Sequence, residues 1–238
     1  MLLFYIRHGD PVYDPDSLTP LGEAQAAAVA KRLLLYGVDS IYASTSNRAR
    51  LTARPLCELT GLEMQLCDWA NESHAWAEFA VATEKGGRTW SFNKKELARI
   101  FTCPEVRNMG ENWYEHPKLI QYGFGKGVAR INSAVDEFFS SLGYEHDREN
   151  GGYRAVSPNE KRVALFAHQG FGICFLSSLL DIPYPMFSTR FDFGHSSMTV
   201  IRFPEKGDFV YPKVLQLSND SHLYREGILT GYNNVYRF

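Results

Sequence analysis

The sequence predicts an α/β fold: a three-layer sandwich whose mostly parallel central sheet is flanked by helices, plus an inserted cap region at about residues 73–125. Three observations carry this expectation. The apolar runs at residues 2–6 and 162–167 are continuous rather than alternating, the pattern of strands buried on both faces of a parallel sheet. Strand-like and helix-like segments alternate through the first third of the chain, as in parallel α/β proteins. At 238 residues, with 45% hydrophobic and 22% charged residues, the chain has an ordinary globular mixture and can bury a core without disulfide or metal staples.

Taken in order, residues 2–6 form a strand that stops at Arg7-His8-Gly9-Asp10-Pro11 and becomes a loop. Thr19-Pro20 starts a helix, with Thr19 as cap and Pro20 at the first position, where its missing N–H costs nothing. That helix runs to about Leu35, and Gly37 stops it. A second strand follows at 40–43, a second helix at 47–59 and a third strand at 62–67. Between 73 and 125, mixed aromatic, glycine and charged residues break the rhythm, with one helix at 92–101. We read this stretch as an insertion packed over the sheet's edge, within a single domain spanning 1–238. A long helix is expected at 127–142, and the charged, Gly-, Asn- and Pro-rich stretch 144–160 reads as an exposed loop. The clearest strand, 162–167, closes on His168-Gln169-Gly170 and leads into an apolar helix at 171–180. Residues 198–203 and 210–217 read as late strands joined by a turn at 204–208.

A formal net charge of −2 argues against nucleic-acid binding, although a local arginine cluster can still hold an anion. The four cysteines, Cys57, Cys67, Cys103 and Cys174, form no CxxC pair and match no zinc spacing, so they read as reduced and buried. The N-terminal apolar run is too short for a signal peptide, and no run is long enough to span a bilayer. The expected setting is cytoplasmic, with no membrane partner.

Two histidines, His8 and His168, each end a strongly apolar strand. Ligands of open α/β sheets bind beyond the carboxyl ends of the strands, so two imidazoles can converge on one pocket there. Alone, each is better read as a hydrogen-bonded structural histidine. Arg7 adds a planar fork of donors suited to phosphate oxygens. Arg48 and Arg50 begin the second helix, where backbone N–H groups also favour an anion. Alone, Arg48 would read as a solvated surface charge.

Arg7-His8-Gly9 after a first strand resembles the signature of the histidine phosphatase (phosphoglycerate-mutase-like) superfamily. Ser44-Thr45-Ser46-Asn47-Arg48-Ala49-Arg50-Leu51-Thr52-Ala53 is similar to the family's SxxxRAxxTA segment, and Leu18-Thr19-Pro20-Leu21-Gly22-Glu23-Ala24-Gln25-Ala26 to its LTxxGxxQA helix start. His168-Gln169-Gly170 resembles the second-histidine strand end, and Asn219-Asp220-Ser221-His222-Leu223 a C-terminal segment common in the family. The matches come in the right order and span nearly the whole chain.

The resemblance implies metal-independent hydrolysis of a small-molecule phosphate monoester, with no cofactor and no metal. His8 would attack phosphorus and form a phosphohistidine that water hydrolyses. Its other ring nitrogen would be pinned to a backbone carbonyl. Arg7, Arg48 and His168 would hold the non-bridging oxygens, and the backbone N–H of Gln169 would add a donor. A carboxylate after the third strand would protonate the leaving group. Trp69-Ala70-Asn71-Glu72 loosely resembles the WxxNE form of the cofactor-dependent mutases, one residue short, which favours Glu72 over Glu78 or Glu84.

The sequence departs from the family at Asp10-Pro11-Val12-Tyr13-Asp14, where many members have Ser or Thr and then Asn. Asp10 and Asp14 would repel phosphate, so they are expected to face away or to meet a leaving group carrying donors. His74 reads as a surface histidine, His195 as lying outside the site, and His116, His146 and His222 carry no local signal. Aromatic residues of the insertion, Trp90, Phe92, Trp113, Tyr114, Tyr122 and Phe124, are expected mainly to pack it down, a minority walling the pocket. Two other functions share these residues: a phosphoglycerate mutase, and a silent module that recognises a phosphorylated partner.

Overall fold

A computed structural model describes residues 1–232 and 236–237 of the chain. The first strand, β1 (Leu2–Arg7), is buried along nearly its whole length and runs into a small hairpin of β2 (Pro11–Tyr13) and β3 (Asp16–Leu18). Helix α1 (Pro20–Tyr36) follows, capped by the Thr19 side chain, which accepts the Gly22 N–H. Strand β4 (Ser40–Ser44), helix α2 (Asn47–Thr60) and strand β5 (Met64–Cys67) come next. Glycine at 61 ends α2 at φ 73°, a left-handed conformation that a Cβ would penalise.

The expected insertion contains α3 (Glu72–Phe79), a hairpin of β6 (Ala80–Ala82) and β7 (Arg88–Trp90), α4 (Lys95–Phe101) and α5 (Pro104–Asn108). The sequence showed only one of these helices. Helix α6 (Phe124–Ser141) then returns the chain to the main body. Residues 144–160, expected as an exposed loop, instead contain β8 (Tyr144–Asp147) and β9 (Gly152–Ala155), paired antiparallel. The polar residues conceal an alternation in which Tyr144 and Tyr153 point fully inward. Strand β10 (Arg162–Ala167), helix α7 (Gln169–Leu179), the short helix α8 (Tyr184–Ser188) and strand β11 (Met198–Arg202) follow. The segment expected as one strand at 210–217 is two: β12 (Phe209–Val210), which pairs with β9, and β13 (Lys213–Asn219), which joins the main sheet. The short α9 (Ser221–Arg225) and a hairpin of β14 (Gly231–Tyr232) and β15 (Tyr236–Arg237) complete the described chain.

The central sheet has the order β13-β11-β1-β10-β4-β5. Its β1-β10-β4-β5 portion is parallel, and β11 runs antiparallel to both of its neighbours. Along β1 and β10, successive side chains enter opposite cores. Phe4, Ile6, Ala164 and Phe166 meet Val29 and Leu33 of α1 and Ala53 and Leu56 of α2. Leu3, Tyr5, Val163 and Leu165 share the other core with Val135 and Phe139 of α6 and Phe171 and Phe175 of α7. Helices on both faces of a mostly parallel sheet make the three layers predicted. The insertion, however, packs on the layer of α6, α7 and α8 rather than over the sheet's edge. Phe79 and Phe101 meet Phe124 and Tyr184, and a Cβ on Gly127 would strike the Phe79 ring at 2.6 Å.

Candidate active site

Because β1 and β10 are parallel neighbours with Arg7 opposite Ala167, the residues that follow them emerge side by side. The rings of His8 and His168 lie 5.2 Å apart, centroid to centroid. The His8 N–H donates to the Ala167 carbonyl at 2.9 Å, which fixes the two strand ends together.

The loop after β1 is held by contacts that explain the surrounding motif. A Cβ on Gly9 would lie 2.6 Å from the Gly22 carbonyl oxygen, and one on Gly22 would lie 2.2 Å from that of Asp10. Only glycine at both positions lets this loop seat on the start of α1. Gln25 accepts the Asp10 N–H at 2.7 Å, and Thr52 accepts the Gly9 N–H at 3.0 Å while donating to the Arg48 carbonyl. The Gly22, Gln25 and Thr52 positions of the motifs therefore act as splints for the His8 loop.

His8 is almost fully buried, and its Nδ1 lies 2.7 Å from the Gly9 carbonyl oxygen. A carbonyl only accepts, so Nδ1 carries the proton and Nε2 presents its lone pair. Among the described residues, Nε2 makes no hydrogen bond. Burial, and then the charges of His168, Arg7 and Arg48, push the His8 pKa well below the usual histidine value. His8 is therefore neutral at neutral pH, as a nitrogen nucleophile must be.

Around it stand the groups expected from the sequence. Arg7 is buried, its Nη1 donating to the Phe193 carbonyl and its Nη2 lying 2.8 Å from His195 Nε2. Arg48, in the first turn of α2, donates to Asp16 Oδ1 at 2.9 Å and to Glu72 Oε2 at 3.2 Å. His168 meets the Ser44 hydroxyl through Nε2 at 2.8 Å. Its Nδ1 is buried, without a hydrogen bond, 3.8 Å from Glu72 Oε2. Ser44 already accepts from the Ser46 N–H, so its own proton is free for His168 Nε2, which leaves an N–H on Nδ1 facing the site. Burial and then Arg48 and Arg7 hold the His168 pKa well below its usual range.

Glu72 opens α3, whose cap Asn71 accepts the Ser73 N–H and donates to Thr45 beyond β4. Its Oε1 accepts the Gly170 N–H at 2.8 Å, at the N-terminus of α7. The carboxylate thus occupies the helix end where an anion is favoured. The expected donor here was the N–H of Gln169; the observed one belongs to the next residue. The Gln169 side chain turns to donate to Asp192.

Three neighbours lay outside the expectation. His195, read as remote, brings its ring centroid within 5.9 Å of that of His8. Asp10, expected to face away, is buried, accepts from the Thr19 hydroxyl at 2.7 Å and places Oδ1 3.4 Å from His195 Nδ1. A buried aspartate is tolerable here because its charge meets this polar pair instead of the phosphate position. Asp16 had no sequence signal at all, since a hairpin brings it to Arg48. Asp14 is exposed, as expected, and so is Arg50; the part-exposed His74 pairs with Asp68.

Ligand-type atoms of His8, Glu72 and His168 lie within 4.8 Å of one another, a spacing that also suits a metal ion. Two guanidiniums, Arg7 and Arg48, flank that point and favour an oxyanion over a cation. A cleft of about 630 Å³ opens above, walled by Tyr13, Trp76 and Trp90 beside Asp16, Arg48 and Glu72.

Residues 3–91 match the profile of the histidine phosphatase superfamily (branch 1). No curated protein sequence matches the chain. Solved structures share the fold across nearly their full length. Phosphoserine phosphatase from Entamoeba histolytica, in complex with 3-phosphoglyceric acid, is 18% identical with a TM-score of 0.58, covering 93% of this chain and 98% of its own. Mycobacterial glucosyl-3-phosphoglycerate phosphatase, complexed with VO3, is 20% identical with a TM-score of 0.56, covering 90% and 97%. The alpha-ribazole phosphatase of Shigella flexneri is 19% identical with a TM-score of 0.54, covering 92% and 97%. From the matched segment 3–91 and the shared fold, the chain belongs to the histidine phosphatase superfamily.

Proposed function

We propose that the protein hydrolyses phosphate monoesters through a phosphohistidine on His8, without a metal or cofactor. The observation that carries this reading is the neutral His8, its Nδ1 pinned by Gly9 and its Nε2 facing a ring of donors from Arg7, Arg48 and His168. In the first step, the Nε2 lone pair forms a bond to phosphorus while the ester P–O bond breaks. The departing oxygen takes a proton held by Glu72. In the second, water attacks phosphorus, gives a proton to Glu72, and the P–N bond breaks to restore neutral His8. Arg7, Arg48 and His168 bear the charge that spreads over the equatorial oxygens.

Hydrolysis is favoured over the mutase reading by the cleft. Arg48 is the only cation among its lining residues, and Asp16 and Glu72 already engage it. A bisphosphate intermediate needs further cations for its second phosphate. The related structures named as phosphatases support the same choice. We also treat the whole chain as one domain in which residues 73–125 cap the site. Four free cysteines fit a reducing cytoplasmic setting.

The test is turnover of an aryl phosphate by protein stripped of metal and kept in chelator. Activity should persist, and His8→Ala should abolish it with the fold intact by circular dichroism. Reversible loss in chelator would overturn metal independence. Absence of turnover on a broad ester panel would leave the silent recognition module as the better reading.

A further inference from the structure

The phosphate-holding groups explain what happens at phosphorus, not which alcohol is released. We infer that the cleft selects monoesters whose alcohol is a flat, uncharged aromatic group, held by Trp76 and Trp90. This inference rests on the phosphatase reading above.

The two indoles meet at 86° with centroids 5.0 Å apart, forming a corner directly beside Glu72. Such a corner offers one ring's face and another's edge, the two geometries in which aromatic rings associate best. The corner is built rather than incidental. Trp90 stacks on Phe92 at 8°, and its ring lies so tightly on α7 that a Cβ on Gly170 would come within 2.1 Å of it. Gly170 is also the residue whose N–H holds Glu72, so the wall and the acid share one support. Tyr13, at the tip of the β2-β3 hairpin, closes the opposite side, with the Arg48 guanidinium 5.5 Å from its ring.

Charge points the same way. A leaving group carrying a carboxylate or second phosphate would sit against Asp16 and Glu72, and its only lining cation would already be shared by both. An acidic alcohol is therefore disfavoured, and a neutral aromatic one is accepted.

The test compares alkyl phosphates with leaving groups of similar basicity, which removes differences in intrinsic reactivity: 2-phenylethyl phosphate, ethyl phosphate and 3-phosphoglycerate. The aromatic ester should exceed ethyl phosphate in kcat/KM by about tenfold or more, the size expected of one stacking contact. The acidic ester should be the poorest. Trp76→Ala should erase the aromatic advantage and leave ethyl phosphate turnover unchanged. Gly170→Ala, which displaces Trp90, should weaken it while circular dichroism shows an intact fold. Equal turnover of all three esters, or a preference for 3-phosphoglycerate, would overturn the aromatic assignment while leaving the phosphatase reading standing. No turnover of any ester, an aryl phosphate included, would overturn both.

Discussion

Replacing Glu72 with glutamine separates the proton from the phosphate chemistry. The glutamine keeps the length and one carbonyl oxygen, so the Gly170 N–H at 2.8 Å retains an acceptor and α3 keeps its Asn71 cap. What disappears is the proton carried on that side chain and the charge paired with Arg48 at 3.2 Å. A positioned general acid contributes about 10²- to 10⁴-fold where the leaving group needs a proton, or roughly 3–5 kcal/mol of barrier. An alkoxide needs that proton; an acidic nitrophenolate departs without it. Glu72→Gln should therefore slow an alkyl phosphate by about 10²-fold or more and p-nitrophenyl phosphate by less than about tenfold. The assay is kcat for a series of esters graded by leaving-group basicity, plotted against that basicity. The variant should give the steeper plot. Parallel plots for the two enzymes would refute the assignment and move attention to Glu78, which the structure instead pairs with Arg130.

Other outcomes follow from the same geometry. His195→Ala removes the 2.8 Å partner of Arg7, so kcat/KM should fall about 10- to 100-fold, the worth of a hydrogen bond to a charged group. His195→Asn should recover part of the loss, and failure to do so would mean that the ring packs rather than positions. Burial, and then the Arg7 charge, push the His195 pKa down to about 3, and burial pushes His222 to about 4, both from 6.5 unfolded. The unfolded chain binds those protons first, so stability should fall as pH drops below 6.5, by about 1.4 kcal/mol per pH unit for each such group. His146 behaves oppositely. Burial opposes its charge, but Asp136 at 3.1 Å and Asp181 at 3.0 Å outweigh that and raise its pKa. Its contribution is complete below pH 6.5 and is lost as pH rises through the raised value, so His146→Ala should cost stability at pH 6 and little in alkaline solution, by thermal melts. Gly22→Ala drives a Cβ to 2.2 Å from the Asp10 carbonyl oxygen. It should cost about 2 kcal/mol or more, a Tm loss of roughly 4–8 °C at this size.

The layers of the fold were legible because continuous apolar runs such as 162–167 can only be strands buried on both faces. The helix starts at Thr19 and Asn47 were legible from caps and proline placement. The hairpin at 144–155 was not, because half of its residues are polar partners of one another. His146 looks like a surface residue until α6 and the turn after α7 bring Asp136 and Asp181 to either side of it. The same reason hid His195 and Asp10. Each is unremarkable alone, and only the antiparallel insertion of β11 beside β1 carries the segment before it to the mouth of β1. Arg7, His8, Arg48, Glu72 and His168 were gathered because strand ends and helix starts are local signals. The partners that orient them come from long-range pairing, which no short window of sequence contains.

The account depends on a covalent bond between phosphorus and one ring nitrogen. Rapid acid-free quenching of the enzyme with ³²P-labelled substrate, followed by peptide mapping, measures that bond directly. A label that is stable in alkali, labile in acid and located at His8 is the expected result, and it should be absent from His8→Ala. Turnover with no protein-bound label at any mixing time, or a label on a residue other than 8, would contradict it.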